Sequence, residues 1–157
     1  MSRREDEDAP IDIAIRLSLP TDFDHWLPLW RGYQAFYRTD IDEATTRESW
    51  RRANDAAEPM WCALAWQGDR AIGMVHYLRH RSFWTGSDYC YLQDLFVSPG
   101  LRARGVGRQL IAHVYAEAAR LGCGRVWWLT HESNHDAMKL YDQVADRSGF
   151  VQYRRIF

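Results

Sequence analysis

The sequence predicts an α/β fold in one domain, a central sheet with helices packed against it. Three observations carry this. Strand-like runs at Met60–Gln67 and Arg70–His80 meet across Gln67-Gly68-Asp69-Arg70, a hairpin signal. Downstream, Val106, Leu110, Val114 and Ala118 recur at i+4, the spacing of one buried helix face. At 157 residues, with 46% apolar and 14% aromatic side chains, the chain suits one domain with a sizeable core.

The elements follow in order. Residues 1 to 10 are charged, end in Pro10 and are expected to be disordered, so the domain is taken as 11–157. Ile11 to Leu17 alternates with period two and is closed by Pro20, a first strand. Thr21 with Asp24 is expected to cap a helix over Asp22 to Tyr37, whose Trp26, Trp30, Tyr33, Phe36 and Tyr37 are mostly core, with Pro28 confined to its first turns. A more polar helix spans Glu43 to Asn54. After the hairpin and a loop over Arg81 to Asp88, a third strand runs from Tyr89 to Val97 and stops at Ser98-Pro99-Gly100. The helix with the i+4 ladder is ended by Gly122. Arg125 to Thr130 reads as a buried strand, 135 to about 145 as a helix with Ala137, Leu140, Tyr141 and Val144 on one face, and Phe150 to Ile156 as a last strand.

Between the third strand and the ladder helix lies Leu101-Arg102-Ala103-Arg104-Gly105-Val106-Gly107-Arg108. Two glycines one residue apart at a strand-to-helix junction let successive N–H groups converge, and the helix dipole adds to them. Such a turn holds a pyrophosphate, with Arg102, Arg104 and Arg108 supplying positive charge. The third glycine and distal acid of a dinucleotide fingerprint are missing, as is G-K-[ST], so Rossmann and Walker sites are excluded. A second pattern, His131-Glu132-Ser133-Asn134-His135, matches H-E-x-x-H of zinc peptidases. That chemistry needs both histidines on one helical face. Here Ser133 or Asn134 is the natural N-cap, with Asp136 completing a capping pair, so the helix starts too late to contain His131 and no metal site is expected.

R-x-x-G-x-G after YLQDLFV and before an amphipathic helix resembles the acetyl-CoA motif of the GCN5-related N-acetyltransferases (GNAT), and the order of elements from Ile11 onward is similar to theirs. Within the family it looks closest to the small diamine, spermidine and histone-type acetyltransferases. The resemblance implies a mixed, mostly antiparallel sheet and acetyl-CoA as co-substrate. It further implies that the backbone of Leu95, Phe96 and Val97 binds pantetheine, that the turn Arg102, Ala103, Arg104, Gly105, Val106, Gly107 and Arg108 binds pyrophosphate, that Asn134 contacts pantetheine, and that Tyr141 faces the thioester sulfur. Relatives among polyamine acetylators commonly carry Glu where this chain has Gln93, which cannot take a proton.

An alkylamine is protonated at neutral pH and must lose a proton before it attacks a thioester. Asp94 is the nearest carboxylate in sequence, although alternation puts Gln93 and Asp94 on opposite faces unless a bulge intervenes. An N–H of the strand, that of Phe96, is expected to meet the developing oxyanion and Tyr141 to protonate the leaving thiolate. Either residue also has a plain structural reading, Asp94 fixing a loop or an arginine and Tyr141 packing on an apolar helix face. Tyr33, Tyr37, Trp84 and Gln93 are the expected substrate lining, with Asp40, Asp42 and Glu43 nearby, and His131 and Glu132 at a strand end are further candidates. The remaining histidines read as solvated or hydrogen-bonded side chains rather than ligands.

The expected partner is a small primary amine, with protein lysine acetylation or a non-catalytic acyl-CoA-binding module as alternatives. A net charge of −1 gives no footprint for nucleic acid, and no apolar run approaches a membrane span. Three cysteines without metal-ligand spacing fit a reducing, cytoplasmic setting. With one strand after the last helix, an aromatic-bearing edge is left uncovered, so a homodimer completed across 150–156 is expected.

Overall fold

A computed structural model describes residues 12–157; the expectation for residues 1–10 lies outside them. Five strands form one sheet in the order β1-β2-β3-β4-β5: β1 (Ala14–Leu17), β2 (Met60–Gln67), β3 (Arg70–His80), β4 (Tyr89–Val97) and β5 (Arg125–Trp127). The first four pair antiparallel and β5 joins β4 in parallel. The described residues also form four α-helices: α1 (Phe23–Phe36), α2 (Glu43–Ala53), α3 (Val106–Arg120) and α4 (His135–Val144). The α/β class, the hairpin and every helix thus stand where the sequence pattern puts them. Gly68 turns the hairpin at φ +61°, a conformation that costs glycine nothing.

Each face of the sheet buries its own apolar cluster. On one side Trp26, Leu29 and Trp30 of α1 and Trp50 of α2 pack on Leu64, Met74 and Phe96. On the other, Val106, Leu110, Ile111, Val114 and Ala118 of α3 pack on Ala63, Ala65, Ile72, Val75 and Tyr77, so all four ladder positions are core. The approach to α1 differs from expectation. Instead of a Thr21 cap, a single 3-10 turn over Pro20–Asp22 places Asp22 against Arg16 at 2.7 and 3.1 Å and lets its carboxylate accept from Leu19 N–H. Asp42 caps α2, accepting from Thr45 N–H at 2.7 Å.

Two further corrections concern the C-terminal third. The strand at 125–130 shortens to Arg125–Trp127, and residues 146–157 form no strand at all. Alternation alone does not make a strand; a partner edge must be in reach, and Phe150, Val151, Tyr153, Ile156 and Phe157 stay exposed. At the start of α4, Asn134 occupies the N-cap position without a capping hydrogen bond, and Ser133 Oγ lies 2.6 Å from His131 Nδ1 instead.

Candidate active site

β4 and β5 share only three register pairs, Tyr89 with Arg125, Cys90 with Val126 and Tyr91 with Trp127. Beyond Tyr91 no strand among the described residues lies beside the outer edge of β4, so the sheet opens into a wedge along Leu92–Val97. Unpaired main-chain groups along such a wedge are ready to bond an extended ligand.

The same strand changes phase within the wedge. His76 pairs with Asp94 and Tyr77 with Leu92, leaving Gln93 as the extra residue of a β-bulge. Before the bulge Cys90 and Leu92 join the α3-side core; after it Leu95 and Val97 do. Asp94 and Phe96 are thereby turned to the α1 side, together with Tyr91, while Gln93 itself is exposed.

Asp94 is buried, 8% exposed, and its Oδ2 lies 2.9 Å from Nδ1 of His76. Three phenols lie within reach of its charge. Burial and then the Asp94 charge raise the pKa values of Tyr33, Tyr37 and Tyr91, so all three hydroxyls stay protonated at neutral pH. The rings form a wall: Trp30 stacks on Tyr33 at 5.4 Å, Tyr33 meets Tyr37 at 4.9 Å, and Trp127 stacks on Tyr91 at 4.2 Å. Gln34 fastens the lip of this wall, its Oε1 accepting from Ile41 N–H at 2.8 Å so that the segment between α1 and α2 is held down.

Tyr141 reaches the wall from α4. Its ring packs edge-on to Trp128 at 5.5 Å, and burial followed by Tyr37 pushes its pKa up to about 12. The phenol therefore keeps its proton at neutral pH. Asn134 spends its amide on Thr130 Oγ1 at 3.1 Å. Trp84, expected in the substrate lining, stands 86% exposed on its loop and stacks on no other ring among the described residues. His131 lies before α4 and His135 is its first residue, so the one-turn spacing of the zinc pattern is not made.

At the C-terminal end of the wedge, Gly100, Ala103 and Gly105 all have positive φ, +84°, +62° and +86°. Such left-handed residues within a turn fold main-chain N–H groups into a concave nest for an anion. Gly105 sits at the N-cap of α3, which no side chain caps, so the first amides of the helix remain available. A Cβ on Gly105 would touch no atom of the protein, and the concavity is open to a ligand. Arg102 donates from Nε to Val97 O at 3.2 Å and lies over Phe36 and Phe96, while Arg108 bonds Gln143 of α4. A nest at the start of α3, a strand edge left unpaired and a wall of phenols can together hold an extended anionic ligand with its phosphates at the nest.

Sequence reasoning missed His76 and Trp26, which hold Asp94 from behind. A histidine on a hairpin strand carries no such signal until its partner across the bulge is known.

Residues 24–145 match the acetyltransferase (GNAT) family. The chain is 38% identical to the D-amino-acid N-acetyltransferase of Saccharomyces cerevisiae across 99% of this chain and 98% of that one. It is 29% identical to the thialysine N-epsilon-acetyltransferase of Mus musculus across 56% and 54%. In fold it is similar to an aminoglycoside N-acetyltransferase in complex with CoA, with a TM-score of 0.81 and 21% identity over 94% of this chain and 97% of that one. The chain belongs to the acetyltransferase (GNAT) family and is an acyltransferase.

Proposed function

We propose that the protein transfers the acetyl group of acetyl-CoA directly to a primary amine of a small molecule, an amino acid or a polyamine. The observation that carries this is the buried Asp94 carboxylate, whose charge acts on Tyr33, Tyr37 and Tyr91, with Tyr141 close enough to Tyr37 to be influenced by it. Aromatic faces and one buried carboxylate suit a compact ammonium, through cation–π attraction and charge pairing. Relatives named for D-amino-acid, thialysine and L-ornithine acetylation support the same substrate class.

Acetyl-CoA supplies an acetyl group activated as a thioester. The chain's residues divide the remaining work. The 102–108 turn and the amides of α3 bind the pyrophosphate, and the main chain of Leu95–Val97 with Asn134 guides the pantetheine arm. Asp94 accepts the amine's proton, through water or the phenols, leaving the nitrogen lone pair free to attack. Tyr141 donates a hydrogen bond and then a proton toward the departing sulfur. We also propose a homodimer: the exposed tail over 150–157 of one copy covers the free edge of β5 in the other. A monomer at micromolar concentration in sedimentation, with full activity, would contradict it.

The substrate reading is tested by kcat/KM with thiol release as readout, across D- and L-amino acids, spermidine, lysine analogues and a lysine-rich peptide. The free amines are expected to lead. A peptide preferred by about tenfold or more, some 1.4 kcal/mol of transition-state binding, would overturn it in favour of protein acetylation, and no turnover with any amine would favour an acyl-CoA-binding module.

A further inference from the structure

His76 is gripped at both ring nitrogens. The indole N–H of Trp26 points at Nε2 from 2.9 Å, and Nδ1 lies 2.9 Å from Asp94 Oδ2. An indole nitrogen can only donate, so Nε2 accepts and the ring's single proton sits on Nδ1, directed at the carboxylate. Trp26 has no freedom to release it: the side chain is 1% exposed and sandwiched between Trp50 at 4.7 Å and Trp30 at 6.0 Å. The groups facing the pair are Cys62 from β2, Tyr33 from α1, Tyr37 just past its end, and Tyr91 from β4.

Burial opposes a second proton on His76, while Asp94 and Cys62 favour one, a balance that taken alone lies upward at about 10. Trp26 reverses it, because a proton on Nε2 would face the indole N–H head-on and leave that donor buried without an acceptor. The ring therefore stays neutral and of one tautomer. Elsewhere on β3 the same grip recurs with a different end: Trp127 donates to His80 Nε2 at 2.8 Å, and Nδ1 of His80 meets the carbonyl of Arg81 at 2.8 Å. A carbonyl takes no proton at neutral pH, so that copy only fastens structure. At His76 the far end is the carboxylate of the site.

We propose that His76 is a positioning residue for acetyl transfer: locked by Trp26 as the Nδ1–H tautomer, it holds the Asp94 carboxylate in one rotamer beside Tyr33, ready to receive the amine's proton. This rests on Asp94 as proton acceptor, and the test separates the two. Asn carries its amide nitrogen near the place of Nδ1 and can still donate to Asp94; Gln reaches instead toward the place of Nε2. Both variants remove the imidazole and lower the melting temperature, so activity has to discriminate them.

In kcat/KM–pH profiles, His76→Gln is expected to lose about 10- to 100-fold, the scale of a misdirected general base. Its acid limb moves to higher pH, because a carboxylate deprived of a donor holds its proton longer. His76→Asn is expected to stay within about fivefold of wild type, one hydrogen bond's worth, with its acid limb unmoved and KM for acetyl-CoA unchanged. Equal losses and unshifted limbs in both variants would reduce His76 to packing. Asp94→Asn at the wild-type rate would instead remove the proton-acceptor reading itself. On the wild-type protein, imidazole 15N shifts should report a neutral Nδ1–H ring that does not titrate between about pH 5 and 8; an imidazolium there would overturn the lock.

Discussion

Gly32 lies in the body of α1, above Phe96. A Cβ built there would approach Phe96 Cζ at 2.7 Å and Cε1 at 2.9 Å, where ordinary contact begins at 3.4 Å, so ring or helix must yield by about 0.7 Å. Two effects then compete in Gly32→Ala. Replacing glycine inside a helix gains about 0.8–1 kcal/mol of propensity. Overpacking a fixed aromatic costs about 1–3 kcal/mol. Phe96 cannot simply rotate away, since it is 8% exposed and packed within the α1-side core. Overpacking wins by about 1 kcal/mol, which for a domain of this size lowers the melting temperature by about 2–4 °C. Phe96 also lies under Arg102 at 5.5 Å and belongs to the segment proposed to guide the pantetheine arm. KM for acetyl-CoA is therefore expected to rise about threefold or more, since roughly 0.7 kcal/mol of binding follows from even a small shift. Thermal denaturation with and without acetyl-CoA, alongside initial rates, measures both. A melting temperature that rises in the variant would refute the close contact and leave helix propensity as the larger effect.

Tyr141→Phe keeps the ring on Trp128 and deletes the hydroxyl; kcat is expected to fall about 10²-fold while the stabilisation by acetyl-CoA persists, and wild-type turnover would leave Tyr141 a packing residue. Gly105→Val puts a branched side chain at φ +86°, costing about 1–3 kcal/mol of strain, and should abolish the acetyl-CoA-induced rise in melting temperature; an unchanged rise would remove the phosphate role of the turn. For Cys90, burial pushes the thiol from 9.0 up to about 12. The unfolded thiol ionises first, so stability is full below about pH 9 and declines above it by about 1.4 kcal/mol per pH unit until the folded thiol also ionises. Melting curves from about pH 8 to 10 should show a steeper decline in wild type than in Cys90→Ala, which keeps only the part due to Cys123 and the raised tyrosines; matching slopes would contradict it.

What could be read from the sequence was whatever one strand or helix encodes by itself. Val106, Leu110, Val114 and Ala118 announce their burial because a helix has a single period, and Gly105 marks its own left-handed backbone. The bulge at Gln93 was different. Tyr89 to Val97 is apolar in both parities, Tyr91 and Phe96 as much as Leu92 and Leu95, so a one-residue change of phase leaves no trace in the pattern. Without that phase, Asp94 could not be assigned a face, nor His76 a partner. The tail failed for a related reason: Phe150 to Ile156 has the composition of a strand, and strand formation is decided by the neighbour rather than by composition.

The short seam between β4 and β5 divides the molecule unequally. β2 to β4, with α1 and α3, contain the deeply buried residues; β5 is at best half-buried and α4 buries none. Regions with so little apolar cover open locally at lower free energy than the rest, and their amides exchange hydrogen sooner. Tyr141 rides on that lighter lobe while Asp94 is fixed in the heavier one. A ligand spanning the wedge ties the two together, so the slowing of exchange it causes should be greatest in α4, on the side that had least to hold it in place.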